Sequence, residues 1–318
     1  MTAAAPPTAA AGARLQVVYL VGSSHSGSTL LAFLMDQHPK IASVGETAVK
    51  RRIRWEGRAA AQQCSCGALI EDCVFWQAIF AETDRLGTPV DGRNWQTDYR
   101  FDHPWLDALL TRETSSMWTR SIRHAAMRRL PFLASRTSRV DRTNVTFIRA
   151  VLRQRQASVF FDTSKLLTRL SYLRELPDLD LKIVWLVRDA RAVAASAKRR
   201  GGSVDDAATV WLNDQVTIER TLAVGQGTPR LRVRYEDLCA DPATTLARLW
   251  EFCGVDGAAP SSEIRARDHH ILGNSMRMGD TIRVRLDDAW RSRLGDEDER
   301  RVLAVAGGLN GQLGYGPA

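Results

Sequence analysis

Glycine and hydroxyl residues are concentrated in one short stretch, Gly22-Ser23-Ser24-His25-Ser26-Gly27-Ser28-Thr29. The pattern of a buried strand (residues 16–21) precedes it, and the pattern of a buried helix (residues 29–37) follows it. A glycine-rich turn that opens a helix directs several backbone N–H groups at one point, and the helix dipole adds attraction for an anion. We therefore predict a phosphate-binding loop, here called the phosphate loop (residues 22–29), rather than a strand–helix turn without a ligand.

The phosphate loop differs at one position from the loop that binds ATP or GTP. That loop follows the pattern G-x-x-x-x-G-K-[ST], and this chain has Gly22, Gly27 and Thr29 but carries Ser28 in place of the lysine. The missing lysine normally neutralises the β- and γ-phosphates. The substitution argues against an ordinary nucleoside triphosphatase.

Strand and helix patterns alternate on both sides of a long interruption. Further strands are predicted at residues 158–161, 181–187 and 231–235, and helices at residues 190–200, 205–224 and 242–253. This alternation predicts a three-layer α/β fold built on a parallel sheet, which binds its ligand at the carboxyl ends of the strands. We expect one domain over residues 15–318, after a disordered tail at residues 1–14 that is rich in alanine, proline and threonine.

Residues 50–155, here called the insertion, have a different composition. Strand patterns are scarce, which predicts a mostly helical structure, and five of the nine tryptophans fall here, at positions 55, 76, 95, 105 and 118. Residues 112–155 contain eleven arginines and two acidic residues, which accounts for the net charge of +8 of the whole chain. Such a segment could meet an anionic acceptor, a membrane surface or nucleic acid, but we interpret it as solvated helix faces and expect no nucleic-acid partner.

Composition also bounds the class of protein. The chain has 318 residues, of which 44% are apolar and 25% charged, so it is long enough to bury a full core. No run of 18 apolar residues is present, and the first residues lack the basic and apolar regions of a secretory signal. Together with an odd number of cysteines, five, this predicts reduced thiols and a cytoplasmic location.

Three of the cysteines, Cys64, Cys66 and Cys73, lie close together in the sequence. A structural zinc site needs four ligands, usually with two to four residues between paired cysteines. Here one residue separates the first pair, and the nearest candidate for a fourth ligand, His103, is far along the chain. We favour a disulfide or another structural pairing over zinc and predict no metal.

Four segments resemble the sulfotransferases that use 3′-phosphoadenosine 5′-phosphosulfate (PAPS), with the closer likeness to the bacterial and Golgi-type branches. The phosphate loop and the helix after it are similar to the 5′-phosphosulfate loop of that family. Residues 187–196 resemble its 3′-phosphate segment, residues 234–238 a recurring strand end, and residues 272–277 a late loop that closes over the nucleotide. The resemblance implies a P-loop-like fold and PAPS as co-substrate without a metal. It also implies PAPS contacts from Ser24, His25, Ser26, Gly27, Ser28, Thr29, Arg188, Ser196, Tyr235, Gly273, Asn274 and Arg277.

The two ends of PAPS require two anion sites on neighbouring strand ends. In addition to the phosphate loop, Arg188 follows the strand pattern at residues 181–187 and can bind a phosphate bidentately, with the hydroxyl of Ser196 as a further donor. The alternative for Arg188 is a salt bridge with Asp189 or a partner for a helix cap.

A catalytic base is implied at Glu46. In the sulfotransferases that act on tyrosine residues, a Gly-Glu pair after the first helix supplies the base, and the resemblance transfers that role to Glu46, which follows Gly45 here. A positioned base contributes about 10²–10⁴-fold to a rate. The alternative is a glutamate near a helix N-terminus without a catalytic role.

The positive charge at the leaving group has two candidates. Most relatives carry arginine or lysine where this chain has His25, which supplies a charge only when it is protonated. Nearby anions would raise its pKa and let it act as a general acid, and a fall in rate at alkaline pH would then follow. Lys165, in Asp162-Thr163-Ser164-Lys165 after a predicted strand, is the other candidate, unless it is a surface lysine at a helix start.

These observations favour a sulfotransferase that acts on a hydroxyl or amine of a carbohydrate, lipid or natural product. We expect the insertion to build the pocket for this acceptor, which could be anionic, because tryptophan suits stacking on rings and arginine suits anions. A kinase or other nucleoside triphosphatase and a non-catalytic nucleotide-binding protein are the alternatives. A homodimer is compatible with the sequence.

Overall fold

A five-stranded parallel sheet forms the centre of the fold in the computed structural model. The structure describes residues 13–48, 63–92, 95–101, 103–224, 227–257, 264–265, 269–271, 275–279, 281–282 and 284–316. Most of the predicted tail, residues 1–12, and the first part of the insertion, with Trp55, lie outside the described residues.

The strands and helices follow the predicted alternation. The strands are β1 (Leu15–Val21), β2 (Ile41–Ala42), β3 (Val159–Asp162), β4 (Leu179–Val187), β5 (Arg230–Arg234) and a separate antiparallel pair, β6 (Ile264–Arg265) and β7 (Thr281–Ile282). The helices are α1 (Ser28–Asp36), α2 (Val74–Arg85), α3 (Pro104–Leu106), α4 (Met117–Arg129), α5 (Pro131–Arg155), α6 (Leu167–Leu173), α7 (Ala190–Lys198), α8 (Val204–Val224), α9 (Tyr235–Ala240), α10 (Pro242–Cys253), α11 (Trp290–Arg293) and α12 (Asp296–Gln312), with a π-helical turn at Asp107–Thr111 and a 3₁₀ turn at Ser275–Met278. Within the described residues, no helix combines the length and the apolar character needed to cross a membrane.

The sheet has the strand order β2-β3-β1-β4-β5, so β1 lies at its centre. In β1, Val17 and Tyr19 pack on one face, whereas Val18 and Leu20 pack on the other. Both faces are covered, which explains why the strand is apolar throughout rather than alternating. Helices α1, α9 and α10 cover one face, and α2, α5, α6 and α8 cover the other. The predicted three-layer α/β fold is confirmed.

The tryptophans of the insertion divide into buried and exposed residues. Trp76 and Trp95 are fully buried and pack against each other and against Phe147 of α5. In contrast, Trp105 and Trp118 are 65% and 81% exposed. Among the described tryptophans of the insertion, only Trp105 and Trp118 could therefore contact an acceptor as predicted.

Several arginines of residues 112–155 join elements instead of covering a solvated face. Arg155 pairs with the fully buried carboxylate of Asp36 at 2.8 Å, and Arg128 pairs with Asp141. Arg136 donates a hydrogen bond to the carbonyl of Tyr99 at 2.8 Å. The interpretation of this segment as solvated helix faces is wrong for these arginines, because each one satisfies an acid or a carbonyl of a neighbouring element.

A buried ion pair links the sheet to the insertion. Arg169 of α6 donates to one oxygen of Asp162, the last residue of β3, from Nη2 at 2.9 Å and from Nε at 3.1 Å, and both side chains are fully buried. Arg169 also donates to Asn144 Oδ1 of α5 at 2.5 Å and to the carbonyl of Thr97. A buried charge is tolerated only when it is paired and hydrogen-bonded, so this arrangement fixes three parts of the chain together.

We predict that Arg169→Met destabilises the protein by about 3–5 kcal/mol, because it leaves the buried Asp162 carboxylate without its partner. Urea unfolding at neutral pH measures the change. Arg142→Met, which removes an exposed arginine from α5, is the matched control and should change the free energy of unfolding by less than about 0.5 kcal/mol. Equal effects of the two substitutions would contradict the role of the ion pair.

Candidate active site

The phosphate loop connects the end of β1 to the start of α1 at the carboxyl edge of the sheet. Gly27 has a φ of 94°, and a β-carbon there would overlap the ring of Tyr235. At Gly22 a β-carbon would lie 2.6 Å from the carbonyl oxygen of Leu186 in β4. Both glycines of the motif are therefore required by close packing, which holds the loop against β4 and against the first residue of α9.

Two buried polar atoms, one in the loop and one beside it, have no hydrogen-bond partner among the residues that the structure describes. Ser26 is fully buried, and its Oγ forms no hydrogen bond within the described residues; the same holds for Nε of Arg188. A buried hydroxyl or guanidinium N–H without an acceptor costs free energy. The donor set of the loop therefore fits an anionic ligand, while Ser24 is exposed at its tip.

Arg188 is anchored beside the phosphate loop. Its Nη1 donates to the carbonyl oxygen of His25 at 3.0 Å, its Nη2 donates to Asp287 Oδ2 at 3.1 Å, and its guanidinium lies 4.2 Å from the ring centroid of Tyr235. The alternative of an ion pair with Asp189 is wrong, because that carboxylate caps α7 and pairs with Arg191 at 2.7 Å. Thus Arg188 and Tyr235 lie together against the loop.

The predicted base and the predicted cation meet at the first turn of α1. Lys165 Nζ donates to Glu46 Oε1 at 2.5 Å and to Ser28 Oγ at 3.3 Å. The side chains of Lys165 and Glu46 are 17% and 35% exposed, so both are accessible from solvent. Lys165 has a φ of 65°, which turns the chain sharply after β3. Lys165 lies 119 positions from Glu46 and 137 positions from Ser28 along the chain, so only the fold brings it to them.

Both flanks of Glu46 are fixed by hydrogen bonds. On one side, Gly45 has a φ of 87° and packs so closely on Ile271 that a β-carbon would overlap its carbonyl oxygen, which accepts from Glu46 N at 3.3 Å. On the other side, Thr47 N donates to Ser164 Oγ at 3.0 Å. Ser164 in turn donates to Asp162, so the buried ion pair also orients the Glu46 segment.

The described side chains around His25 include several arginines. A ring nitrogen of His25 accepts a hydrogen bond from Arg200 Nη1 at 2.7 Å. Burial lowers the pKa of His25 below its ordinary value of 6.5, and the charges of Arg200 and Arg188 lower it further. In the chain without a bound anion these neighbours favour the neutral imidazole, and the predicted imidazolium beside a bound phosphate stays a prediction. The permanent charges here belong to the arginines and Lys165.

The remaining predicted site residues lie at the edges of this region or elsewhere. Ser196 is buried in α7. Gly273 and Asn274 lie outside the described residues. Arg277 is buried and donates to the carbonyl of Gln63 at 2.6 Å. Its described contact is therefore with backbone of the cysteine-containing segment, and its predicted nucleotide contact stays a prediction.

A cavity of about 400 Å³ opens beside the residues that follow Lys165. Six of its eleven lining residues carry a charge. The lining consists of Asp98, Arg100, Pro104, Asp107, Ala108, Thr111, Arg112, Glu113, Leu166, Thr168 and Arg169. Such a wall offers both donors and acceptors for a polar ligand next to the phosphate loop.

Sequence patterns missed two residues that contact this region. Arg200 ends a run of basic residues after α7, and that run was the available signal. Asp287, the partner of Arg188, lies in a non-helical segment far along the chain and carries no sequence signal. Both contacts depend on segments that only the tertiary fold brings together.

Comparisons with known proteins identify the class. Residues 18–259 match the model of the sulfotransferase family, so the chain belongs to this family. A curated relative, carbohydrate sulfotransferase 5 of Mus musculus, is 28% identical over 171 residues. The match covers 44% of this chain and 42% of that protein, so the chain spans less than half the length of this relative. The sulfotransferase domain of the Synechococcus PCC 7002 olefin synthase has the same fold, with a TM-score of 0.50, 18% identity and coverage of 94% of this chain and 96% of that one.

We predict that His25 titrates with a midpoint below 6.5 in the protein without added nucleotide, because it is half-buried among arginines. Histidine-selective NMR over a pH series measures the midpoint. Arg200→Ala should move it upward, since this change removes one cation and exposes the ring. A midpoint above 6.5 in the wild-type protein that does not change with this substitution would contradict the prediction and favour a protonated His25.

Proposed function

We propose that the protein transfers the sulfuryl group of PAPS to a hydroxyl or amine of an acceptor, with Glu46 as the general base and Lys165 as the cation at the leaving group. The observation that carries this proposal is the meeting of Glu46, Lys165 and Ser28 at the N-terminus of α1. A carboxylate, an ammonium and a helix N-terminus at one point are the groups that an in-line transfer between two oxygens requires.

The donor side of the proposal rests on two buried donors, Ser26 Oγ and Arg188 Nε, for which the described residues offer no acceptor. Ser26 Oγ and the backbone N–H groups of the phosphate loop would hold the phosphosulfate end. Arg188 and Ser196 would hold the 3′-phosphate. The guanidinium of Arg188 stacks over the ring of Tyr235, which fixes its position. The serine in place of the P-loop lysine is consistent with this donor, because Lys165 approaches Ser28 from another strand end and supplies the charge.

In the proposed transfer, one bond to sulfur forms while another breaks, and these residues account for the proton and the charge. A bond forms between the acceptor oxygen and sulfur, while the bond between sulfur and the bridging oxygen of the phosphosulfate breaks. Glu46 takes the proton of the acceptor hydroxyl, and Lys165 stabilises the negative charge that develops on the leaving phosphate oxygen. In the absence of these reactants, Lys165 is paired with Glu46, so the ammonium must exchange part of this contact for the phosphate oxygen during the reaction.

A carbohydrate is the acceptor that the surroundings favour. The cavity beside Lys165 is lined by the carboxylates of Asp98, Asp107 and Glu113 and by arginines, which hydrogen-bond hydroxyl groups. Trp105, 65% exposed and adjacent to the lining residue Pro104, offers a ring face for a sugar. The mouse relative is named for acting on carbohydrates.

We predict that adenosine 3′,5′-bisphosphate raises the melting temperature, whereas ATP with Mg²⁺ does not. At a concentration of about a hundred times Kd, binding to the native state adds about 2.7 kcal/mol. Ser26→Ala should leave the unliganded melting temperature unchanged or higher, because it removes an unpartnered buried hydroxyl, and should weaken binding at least about 10-fold, since a hydrogen bond to a charged group contributes about 1.5–3 kcal/mol. Stabilisation by ATP and Mg²⁺ alone would point to a kinase instead.

We predict that Glu46→Gln lowers turnover by about 10²–10⁴-fold, because an amide cannot act as a base for the hydroxyl proton of the acceptor substrate. The assay is transfer of labelled sulfate from PAPS to a panel of carbohydrate acceptors, with lipid and natural-product alcohols as comparison groups. Glu251→Gln, on an exposed position of α10, makes the same chemical change outside the site and should retain turnover. Wild-type turnover of Glu46→Gln with unchanged binding of adenosine 3′,5′-bisphosphate would falsify the assignment of the base.

A further inference from the structure

Four metal-binding side chains converge away from the phosphate loop. They are Cys64, Cys66, Cys73 and His269, and their ligand atoms all lie within 4.8 Å of one another. The three cysteines are close in sequence, but His269 follows Cys73 by 196 positions. The candidate fourth ligand, which could not be found near the cysteines in the sequence, is therefore His269 from a distant segment.

Three of the six separations between these ligand atoms are close to the edges of one tetrahedral coordination shell. Cys66 Sγ lies 3.7 Å from Cys73 Sγ, and His269 Nδ1 lies 3.5 Å from Cys64 Sγ and 3.3 Å from Cys73 Sγ. In a tetrahedron with zinc–sulfur bonds of about 2.3 Å and a zinc–nitrogen bond of about 2.0–2.1 Å, the sulfur–sulfur edge is about 3.8 Å and the sulfur–nitrogen edge about 3.5 Å. A disulfide requires about 2.05 Å between sulfurs, and all five cysteines are free.

We propose that Cys64, Cys66, Cys73 and His269 bind a zinc ion in a closed Cys₃His site with a structural role. This proposal departs from the sequence-based prediction of no metal. Four protein ligands leave no open position for a substrate or water, which distinguishes a structural from a catalytic zinc site. On binding, the three thiols lose their protons to solvent and the neutral imidazole of His269 ligates through Nδ1.

The backbone around each ligand suits this geometry. Gly67 has a φ of 90° and lets the chain reverse, so that Gly67 N donates to the carbonyl of Cys64 at 2.9 Å. Cys73 occupies the N-cap position of α2, where the helix dipole favours a thiolate. His269 has a φ of 58°, a left-handed conformation that is uncommon outside glycine, and its ring stacks on Phe75 with centroids 4.6 Å apart. The imidazole is thus oriented toward the sulfurs by packing.

The site would join two segments that lead to Glu46. Ser65 and His270 exchange hydrogen bonds, from Ser65 N to the His270 carbonyl at 3.0 Å and from His270 N to Ser65 Oγ at 2.9 Å. The next residue, Ile271, donates to the carbonyl of Val44 at 2.9 Å and accepts from Glu46 N. Zinc would therefore fix the segment on which the Glu46 backbone rests. Metal binding itself does not depend on the proposed function.

The test measures metal in the full chain. We expect protein purified without chelators to contain an equimolar amount of zinc by elemental analysis, and protein refolded with Co²⁺ to show the visible bands of tetrahedral cobalt together with thiolate-to-cobalt charge transfer. Removal of zinc should lower the melting temperature, and re-addition of zinc should restore it. Absence of tightly bound zinc together with absence of these cobalt bands would overturn the proposal, as would a mass that reveals a disulfide within the cluster.

Two variants separate ligand loss from misfolding. Cys66→Ala changes an exposed side chain and His269→Ala a partly exposed one, so both chains should fold. Each should lower zinc affinity by more than about 100-fold, because loss of an outer-shell partner alone costs about 10–100-fold. Cys253→Ala, at a cysteine in α10 outside the cluster, is the matched control and should retain zinc. Wild-type zinc affinity in both cluster variants would overturn the assignment.

Discussion

The buried pair of Asp162 and Arg169 is the interaction on which the arrangement of the active edge depends. The pair lies where β3 ends. The second carboxylate oxygen of Asp162 accepts a hydrogen bond from Ser164 on the side of the site, and Arg169 donates to Asn144 of the insertion. Because a buried charge cannot be left unpaired without a large cost, these contacts form together or not at all. The insertion is thereby tied to the same point that orients the segments of Lys165 and Glu46.

Glu46 illustrates how the side chain proposed as the base is held on an irregular segment. It follows a two-residue edge strand, so the sheet by itself gives it little support. Ser164 holds the chain after it, and Ile271 holds the chain before it. The second of these supports belongs to a segment that also carries His269, so the proposed metal site would rigidify the edge from outside. Rigid second-layer contacts of this kind maintain the geometry of a site that is built on loops.

The phosphate loop carries Ser28 and His25 at two positions where lysine or arginine is usual, so its positive charge must come from other segments. Ser28 stands in place of the usual lysine of the loop, and His25 lies near the loop tip, where burial and the neighbouring arginines lower its pKa. The positive charge is instead supplied across the sheet edge by Lys165, Arg188 and Arg200. A distributed set of cations suits an anionic ligand with charge at two ends, since no single residue carries the whole attraction.

The sequence by itself determined the local elements and the motif residues. The strand predicted at residues 181–187 is found as Leu179–Val187, and the helix at residues 242–253 is found with the same bounds, because apolar periodicity and the proline and glycine signals act over short distances. Local motifs also predicted the phosphate loop and made Lys165 a candidate, whereas Glu46 became a candidate through the resemblance of its Gly-Glu pair to that of sulfotransferases. Only the tertiary structure decided which charges meet. The contact of Arg200 with His25, the pairing of Arg188 with Asp287 and the approach of His269 to three cysteines each depend on residues between about 100 and 205 positions apart. No local pattern specifies such a contact, because it is set by the order of the strands and by the packing of the helices that carry the two partners.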